Sequence, residues 1–338
     1  MPGLVPSAAG PPITHRFVDA GGLRMHIAEA GTGPLLLLLH GFPESWYSWR
    51  HQLTALAAAG LHAVAPDQRG YCRTGPPGGP GAAQRVEDYT ILQLTGDVIA
   101  LMDALGEDQA VVAGHDWGAP VAWHTALLRP DRVRGVIGLS VPYRPRGSIR
   151  PLDAMRAAAG DGFYMIYFQQ PGVADAELSA DPAATFRRLL YAASGDAPQG
   201  SPAGWPAVVP PGGGFLDVCP EPSALPGWLS AADIGCYVAD YAESGFTGPL
   251  NWYRNLDRNW ELTAPWRHAQ ITVPALYLAG ERDLVVAFSG GREMLPRLRS
   301  AAPRLREPVL LAGCGHWTQQ ERPAEVSDAM LSFVGDLS

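Results

Sequence analysis

Apolar positions along this chain follow two rhythms. Short apolar runs alternate with longer stretches of helical spacing, first over residues 15–143 and again over 266–338. The runs GPLLLLLHGFP (33–43), LHAVAPDQRG (61–70), QAVVAGHD (109–116), VRGVIGLSVP (133–142), TVPALYLAGERD (272–283) and PVLLAGCGHW (308–317) read as strands, several running into a turn. Between them, WYSWRHQLTALAAAG (46–60), VEDYTILQLTGDVIALMDALG (86–106), WGAPVAWHTALLRP (117–130) and PAEVSDAMLSFVGDL (323–337) predict helices. The first stops at Gly60 and the third at Pro130. Residues 15–30 alternate loosely around Gly21 and Gly22 and predict an edge hairpin.

Continuous apolar strands alternating with helices predict an α/β fold, a mostly parallel sheet covered on both faces. Ligands of such sheets sit beyond the C-terminal strand ends. The rhythm breaks from 144 to 265. There DGFYMIYFQQPG (161–172), WPAVVPPGGGF (205–215) and GPLNWYRNLDRNW (248–260) predict short helices without sheet spacing. The expected organisation is a flexible segment at 1–14, a core of 15–143 and 266–338, and a helical lid at 144–265 that roofs the site. The Gly-Pro-rich stretch RTGPPGGPGAA (73–83) is expected to be a loop, and no internal repeat stands out.

Composition narrows the function classes. The 338 residues are 47% hydrophobic and 17% charged, which suits a globular chain. All 25 basic residues are arginine, scattered through a chain of net charge −8, which disfavours nucleic-acid binding. Cys72, Cys219, Cys236 and Cys314 form no C-x-x-C pair and suit neither a zinc site nor a disulfide framework. A reducing cytoplasm is the expectation, because residues 1–14 lack the basic start and continuous apolar stretch of a signal peptide. LLLLL is far too short to span a bilayer. No dinucleotide-binding or phosphate-loop motif is found, so no organic cofactor or metal is expected. Oligomeric state stays open, a homodimer being the assembly considered.

The candidate chemistry gathers at strand ends. His40 to Glu44 follow LLLLL, Asp116 follows VVAG, Asp283 follows ALYLAGER and His316 follows LLAGCG. GHDWG (114–118) has the outline G-x-nucleophile-x-G of a sharp strand-to-helix turn, and the chain order nucleophile, acid, histidine is the hydrolase order for that turn. Asp116 is then the nucleophile and His316 the base. Asp283 fixes the histidine tautomer, with Asp67 and Glu281 as rival carboxylates. The oxyanion donors expected are the backbone N–H groups of Trp117 and Phe42. His40 reads as a structural hydrogen-bonder, and Pro43 is a candidate cis proline.

Serine usually occupies the centre of that turn. An aspartate there attacks saturated carbon and leaves an alkyl ester, which water activated by His316 then hydrolyses at the Asp116 carbonyl carbon. An epoxide or a carbon–halogen bond fits. An epoxide oxygen leaves as an alkoxide and calls for a proton donor. The lid offers Tyr164, Tyr167, Tyr241 and Tyr253.

HGFPESWYSWR (40–50), GHDWG, YFQQPGVADAEL (167–178), GPLNWYRN (248–255), GERD (280–283) and GCGHWTQQERP (313–323) together resemble an epoxide hydrolase of the α/β-hydrolase fold, typified by the C-terminal domain of the soluble mammalian enzyme. The resemblance covers about residues 12–335. It implies Asp116, Asp283 and His316 as the triad, and Tyr167 and Tyr253 as the two lid tyrosines that hold and protonate the epoxide oxygen. It also implies Trp117 and Phe42 in the pocket wall, a small apolar epoxide and water as substrates, and a vicinal diol as product. Two departures stand out: DQRGYCRT (67–74) where the family often has D-x-R-G-Y-G-x-S, and the PPGGPG and VVPPGGG segments.

Three rival readings remain. A dehalogenase of this fold tends to carry a halide-binding side chain where Phe42 stands, and lacks paired lid tyrosines. A serine esterase needs a hydroxyl at position 116. A non-catalytic small-ligand receptor would retain a pocket but could dispense with Asp283.

Overall fold

The computed structural model describes residues 11–79, 82–198 and 208–337. Most of the expected N-terminal segment, and parts of the two Gly-Pro-rich stretches, lie outside the described residues.

Eight strands form one sheet: β1 (Thr14–Ala20), β2 (Leu23–Ala30), β3 (Leu35–Leu39), β4 (His62–Pro66), β5 (Ala110–His115), β6 (Val133–Leu139), β7 (Ala275–Gly280) and β8 (Val309–Leu311). Their order is β1-β2-β4-β3-β5-β6-β7-β8. β1 pairs β2, and β2 pairs β4, in antiparallel fashion; every later pairing is parallel. The β1–β2 pair is the edge hairpin expected around Gly21-Gly22.

Side chains alternate across a strand, so an unbroken apolar run feeds two cores. LLLLL does so literally. Leu35, Leu37 and Leu39 join a core with Val98, Leu101 and Val121, from helices Ile91–Leu105 and Gly118–Leu128. Leu36 and Leu38 join the other with Leu53, Met330 and Phe333, from helices Arg50–Ala58 and Pro323–Gly335. Both faces are therefore covered, as the sequence predicts. The expected helix over 46–60 is split: Ser45 Oγ accepts the Tyr47 N–H at 3.2 Å, and Trp46–Trp49 is a 3-10 turn before the α-helix begins at Arg50.

Chain order doubles back at β3. The chain passes from β3 to β4 on one side, then crosses to β5 on the other. Such a reversal opens a crevice above the C-terminal ends of the two central strands. The turn carrying Phe42 and the turn carrying Asp116 leave β3 and β5 at that point.

Between β6 and β7 the chain makes a long helical excursion, including Pro151–Ala159, Tyr164–Tyr167, Val173–Ala180, Pro182–Ala192, Ala231–Tyr241, Thr247–Arg254 and Leu256–Leu262. Its aromatic rings are packing units: Phe168, Phe186, Phe215, Tyr237 and Phe246 are all buried. Polar ties fasten it to the core. Tyr47 donates its hydroxyl proton to Asp233 at 2.8 Å, and Tyr241 donates to the Glu44 carbonyl at 3.0 Å.

Candidate active site

β5 ends at His115, and the helix starting at Gly118 follows almost at once. Asp116 between them has φ 49°, a left-handed backbone that turns its side chain out above the sheet. The flanking glycines are steric necessities. A Cβ on Gly114 would meet the Gly118 carbonyl at 2.0 Å, and one on Gly118 would meet the Leu39 carbonyl at 2.1 Å.

Asp116 Oδ1 accepts the Phe42 N–H at 2.7 Å, and Oδ2 stands 3.5 Å from His316 Nε2. On the far side of the imidazole, Nδ1 lies 3.1 Å from Asp283 Oδ1, which also accepts the Val285 N–H at 2.9 Å. Strand ends on β3, β5, β7 and beyond β8 thus converge on one point. The rival carboxylates are elsewhere: Asp67 pairs with His26 at 2.7 Å, and Glu281 faces Arg292 at the surface.

Burial pushes the Asp116 carboxyl up, but the hydrogen bond and charge of His316 outweigh it and hold its pKa below the ordinary value. Asp283 behaves likewise, lowered by His316 against its own burial. Burial pulls His316 down, yet the Asp283 charge, with Asp116 behind it, raises its pKa well above the ordinary value. The two carboxylates that flank the imidazole therefore favour its protonated form.

His40 is structural, as its sequence position suggests. Its Nδ1–H donates to the Gly41 carbonyl at 3.0 Å, and its Nε2 accepts the Gln68 N–H at 3.1 Å, which ties the Phe42 turn to the 67–74 loop. The Phe42–Pro43 bond is cis. In that loop, Cys72 takes a left-handed backbone at φ 48°, and Thr74 Oγ1 donates to the Asp67 carbonyl at 2.6 Å.

An aromatic cavity opens over Asp116 and His316, lined by Phe42, Tyr164, Phe168, Phe215, Tyr253 and Trp317 among others. Tyr253 lines it, and burial followed by the Asp116 charge holds its phenol well above its ordinary pKa. Tyr167 is placed differently. It is absent from the lining, and its hydroxyl donates to Glu177 at 2.8 Å; Tyr164, one helical turn earlier, lines the cavity instead. Glu177 also accepts the Phe215 and Leu216 N–H groups at 3.0 and 2.8 Å, and this is what draws Tyr167 aside. Trp117 stands next to the cavity wall. Its ring packs edge-on at 5.0 Å from that of Tyr253, which lines the cavity.

Some supporting residues escaped the sequence reading. His115 is fully buried, with Nδ1 at 2.8 Å from Glu44 and Nε2 donating to the His316 carbonyl at 2.7 Å. Glu321 accepts the N–H groups of Gly195, Gly315 and Trp317, which clamps the histidine loop to the lid. Ser140 Oγ lies 3.0 Å from His316 Nδ1. The ESW and TQQER tails of the quoted motifs carried the signal for Glu44 and Glu321; Ser140 had none beyond its place after β6.

Residues 34–323 match the profile of the α/β-hydrolase fold family. The chain is 46% identical to epoxide hydrolase A of Mycobacterium tuberculosis, over 96% of this chain and 98% of that protein. It is 42% identical to epoxide hydrolase 3 of Siraitia grosvenorii, over 95% and 98%. The crystal structure of epoxide hydrolase A from Mycobacterium thermoresistibile superimposes with a TM-score of 0.88 at 48% identity, covering 95% of this chain and 98% of that one. By fold and triad the chain belongs to the α/β-hydrolase family. Within that family it belongs to the epoxide hydrolases, which form a vicinal diol through an ester on the nucleophilic aspartate, here Asp116, hydrolysed by water that His316 activates. Among the described residues no helix is long and apolar enough to cross a membrane, and no group of side chains is arranged to hold a metal ion.

Proposed function

We propose that Tyr164 and Tyr253 are the proton donors of the ring-opening step, and that the substrate is a small apolar epoxide. The observation that carries this reading is the shared cavity, in which both phenols stand over Asp116 and His316 among aromatic walls. Burial raises both phenols, so each is a neutral O–H donor at neutral pH.

In the first step Asp116 Oδ2 attacks a ring carbon. The carbon–oxygen bond breaks, and the alkoxide takes a proton from a tyrosine. Oδ1 stays on the Phe42 N–H as the ester carbonyl oxygen. In the second step water adds to the Asp116 carbonyl carbon while His316 Nε2 takes its proton. The oxyanion is held by the Phe42 and Trp117 N–H groups; its collapse breaks the bond to the diol oxygen, which takes the proton from His316, and the proton left on the Asp116 carboxyl restores the tyrosine. Asp283 steadies the imidazolium. Four free cysteines, none paired in the structure, support a reducing cytoplasm as the site of action.

The test is diol formation from styrene oxide or stilbene oxide, read by chromatography beside an Asp116→Ala control. Diol from the wild type alone supports the reading. Folded protein that forms no diol from these or from larger apolar epoxides, but frees halide from haloalkanes, would replace it with dehalogenation.

A further inference from the structure

Ser140 follows the last residue of β6 and is fully buried, with a left-handed backbone at φ 68°. For a residue with a Cβ this conformation is unfavourable, and glycine would meet it without strain. Two backbone bonds fix it: its N–H donates to the Leu278 carbonyl at 2.9 Å, and its carbonyl accepts the Tyr277 hydroxyl at 2.7 Å. The backbone so held points Oγ at the far side of the catalytic imidazole, 3.0 Å from His316 Nδ1. Nδ1 is also 3.1 Å from Asp283 Oδ1. A single Nδ1–H therefore faces two oxygens.

A hydroxyl can serve both neighbours at once, because it accepts through a lone pair and donates through its own proton. Asp283 Oδ2, by contrast, is buried with no hydrogen-bond partner. Resting on the two-step reaction described above, we infer that Ser140 is a positioning residue: its Oγ shares the His316 Nδ1–H with Asp283 and so holds the base in place for ester hydrolysis.

The two steps make unequal demands on that anchor. Before alkylation the imidazole is gripped from both sides, by Asp116 at 3.5 Å and Asp283 at 3.1 Å, and it transfers no proton. Alkylation turns Asp116 into a neutral ester and removes one grip. The ring is then held mainly from Nδ1, at the moment when Nε2 must meet a water squarely. Loss of the Ser140 hydroxyl should therefore slow the second step and spare the first.

The experiment is single-turnover kinetics with stilbene oxide. Tryptophan fluorescence follows rise and decay of the alkyl-enzyme in wild type, Ser140→Ala and Ser140→Gly. Alanine removes the hydroxyl and keeps the backbone disfavoured; glycine removes both hydroxyl and strain. The expected result is alkylation within about 2-fold of wild type in both variants. Ester hydrolysis should be slower by about 10-fold or more in both, the worth of a hydrogen bond to a charged partner. An equal slowing of both steps, unchanged hydrolysis in the alanine variant, or wild-type hydrolysis in the glycine variant overturns the proposal. Wild-type protein that forms diol without any alkyl-enzyme rise overturns the two-step reading and this inference with it. Normal wild-type phases beside any of the earlier outcomes overturn this inference alone.

Discussion

The sheet and the lid both supply reacting groups to this site, but they position them by different physics. Asp116 and Asp283 stand on turns that leave β5 and β7, whose register is locked by neighbours on both sides, and His316 follows the edge strand β8, which is paired to β7. Tyr164 stands on a four-residue helix that has no such ladder, and its orientation is decided by a few contacts. A sheet-borne group is therefore fixed by the whole fold, whereas a lid-borne group is fixed by its immediate partners. Substitutions can separate the two.

The largest effects belong to the sheet. Asp116→Ala removes the only atom that forms the ester, and diol formation should fall by at least about 10⁴-fold, as when a covalent nucleophile is lost. His316→Gln leaves Asp116 free to attack but takes away the base. Alkyl-enzyme should accumulate stoichiometrically, visible as an added substrate mass on the intact protein. Ester turning over in that variant without accumulation would count against His316 as the base.

The lid should yield a smaller effect, divided between steps. Tyr164→Phe or Tyr253→Phe each removes one of two donors, so alkylation should slow by roughly 10²-fold while ester hydrolysis is little changed. Stopped-flow fluorescence resolves the two phases. Equal slowing of both would mean that the tyrosines shape the cavity and do not deliver the proton.

Legibility in the sequence follows the same division. Strand runs such as LLLLL and VVAG announce themselves by period, and each catalytic strand end is then a place to look. Asp283 could be preferred to Asp67 because the order along the chain and the fold type agree. Tyr164 and Tyr167 lie three residues apart, so on a single helical turn they share nearly the same face, and no spacing argument separates them. What separates them is Glu177, a carboxylate ten residues further on whose other partners lie beyond residue 214. That contact is tertiary. Trp117 belongs to the elbow in sequence, and its packing against the lid Tyr253 is likewise a tertiary contact. The His115–Glu44 pair and the Ser140 contact are also long-range, with no local pattern to reveal them.

The pH dependence should distinguish the steps by about 10-fold per unit. Asp116 has a lowered pKa and the lid phenols raised ones, so the alkylating form persists and alkylation should be flat between about pH 5 and 9. His316 has a raised pKa in the free enzyme because two carboxylate charges outweigh its burial. Alkylation erases the Asp116 charge, so in the ester the His316 pKa falls below its free-enzyme value. Hydrolysis needs the neutral imidazole. Its rate should climb with pH up to that lowered pKa and then level off. A flat hydrolysis phase beside a pH-dependent alkylation would reverse the assignment.

The smallest effect is also the sharpest test of how the lid is set. Tyr167→Phe deletes one donor to Glu177 and leaves the two backbone N–H donors in place. Because Tyr167 is only half-buried, the lost hydrogen bond should lower stability by about 1 kcal/mol, which denaturant unfolding can measure. Alkylation should change by no more than about 2-fold, because the hydroxyl faces Glu177 and the alkoxide is protonated elsewhere. The substitution sits three positions from Tyr164 on the same turn, so a large kinetic effect at Tyr167 with a small one at Tyr164 would mean that the lid in solution presents the other phenol to the substrate. The Glu177 contact would then be a feature of the closed resting lid alone, broken each time an epoxide enters.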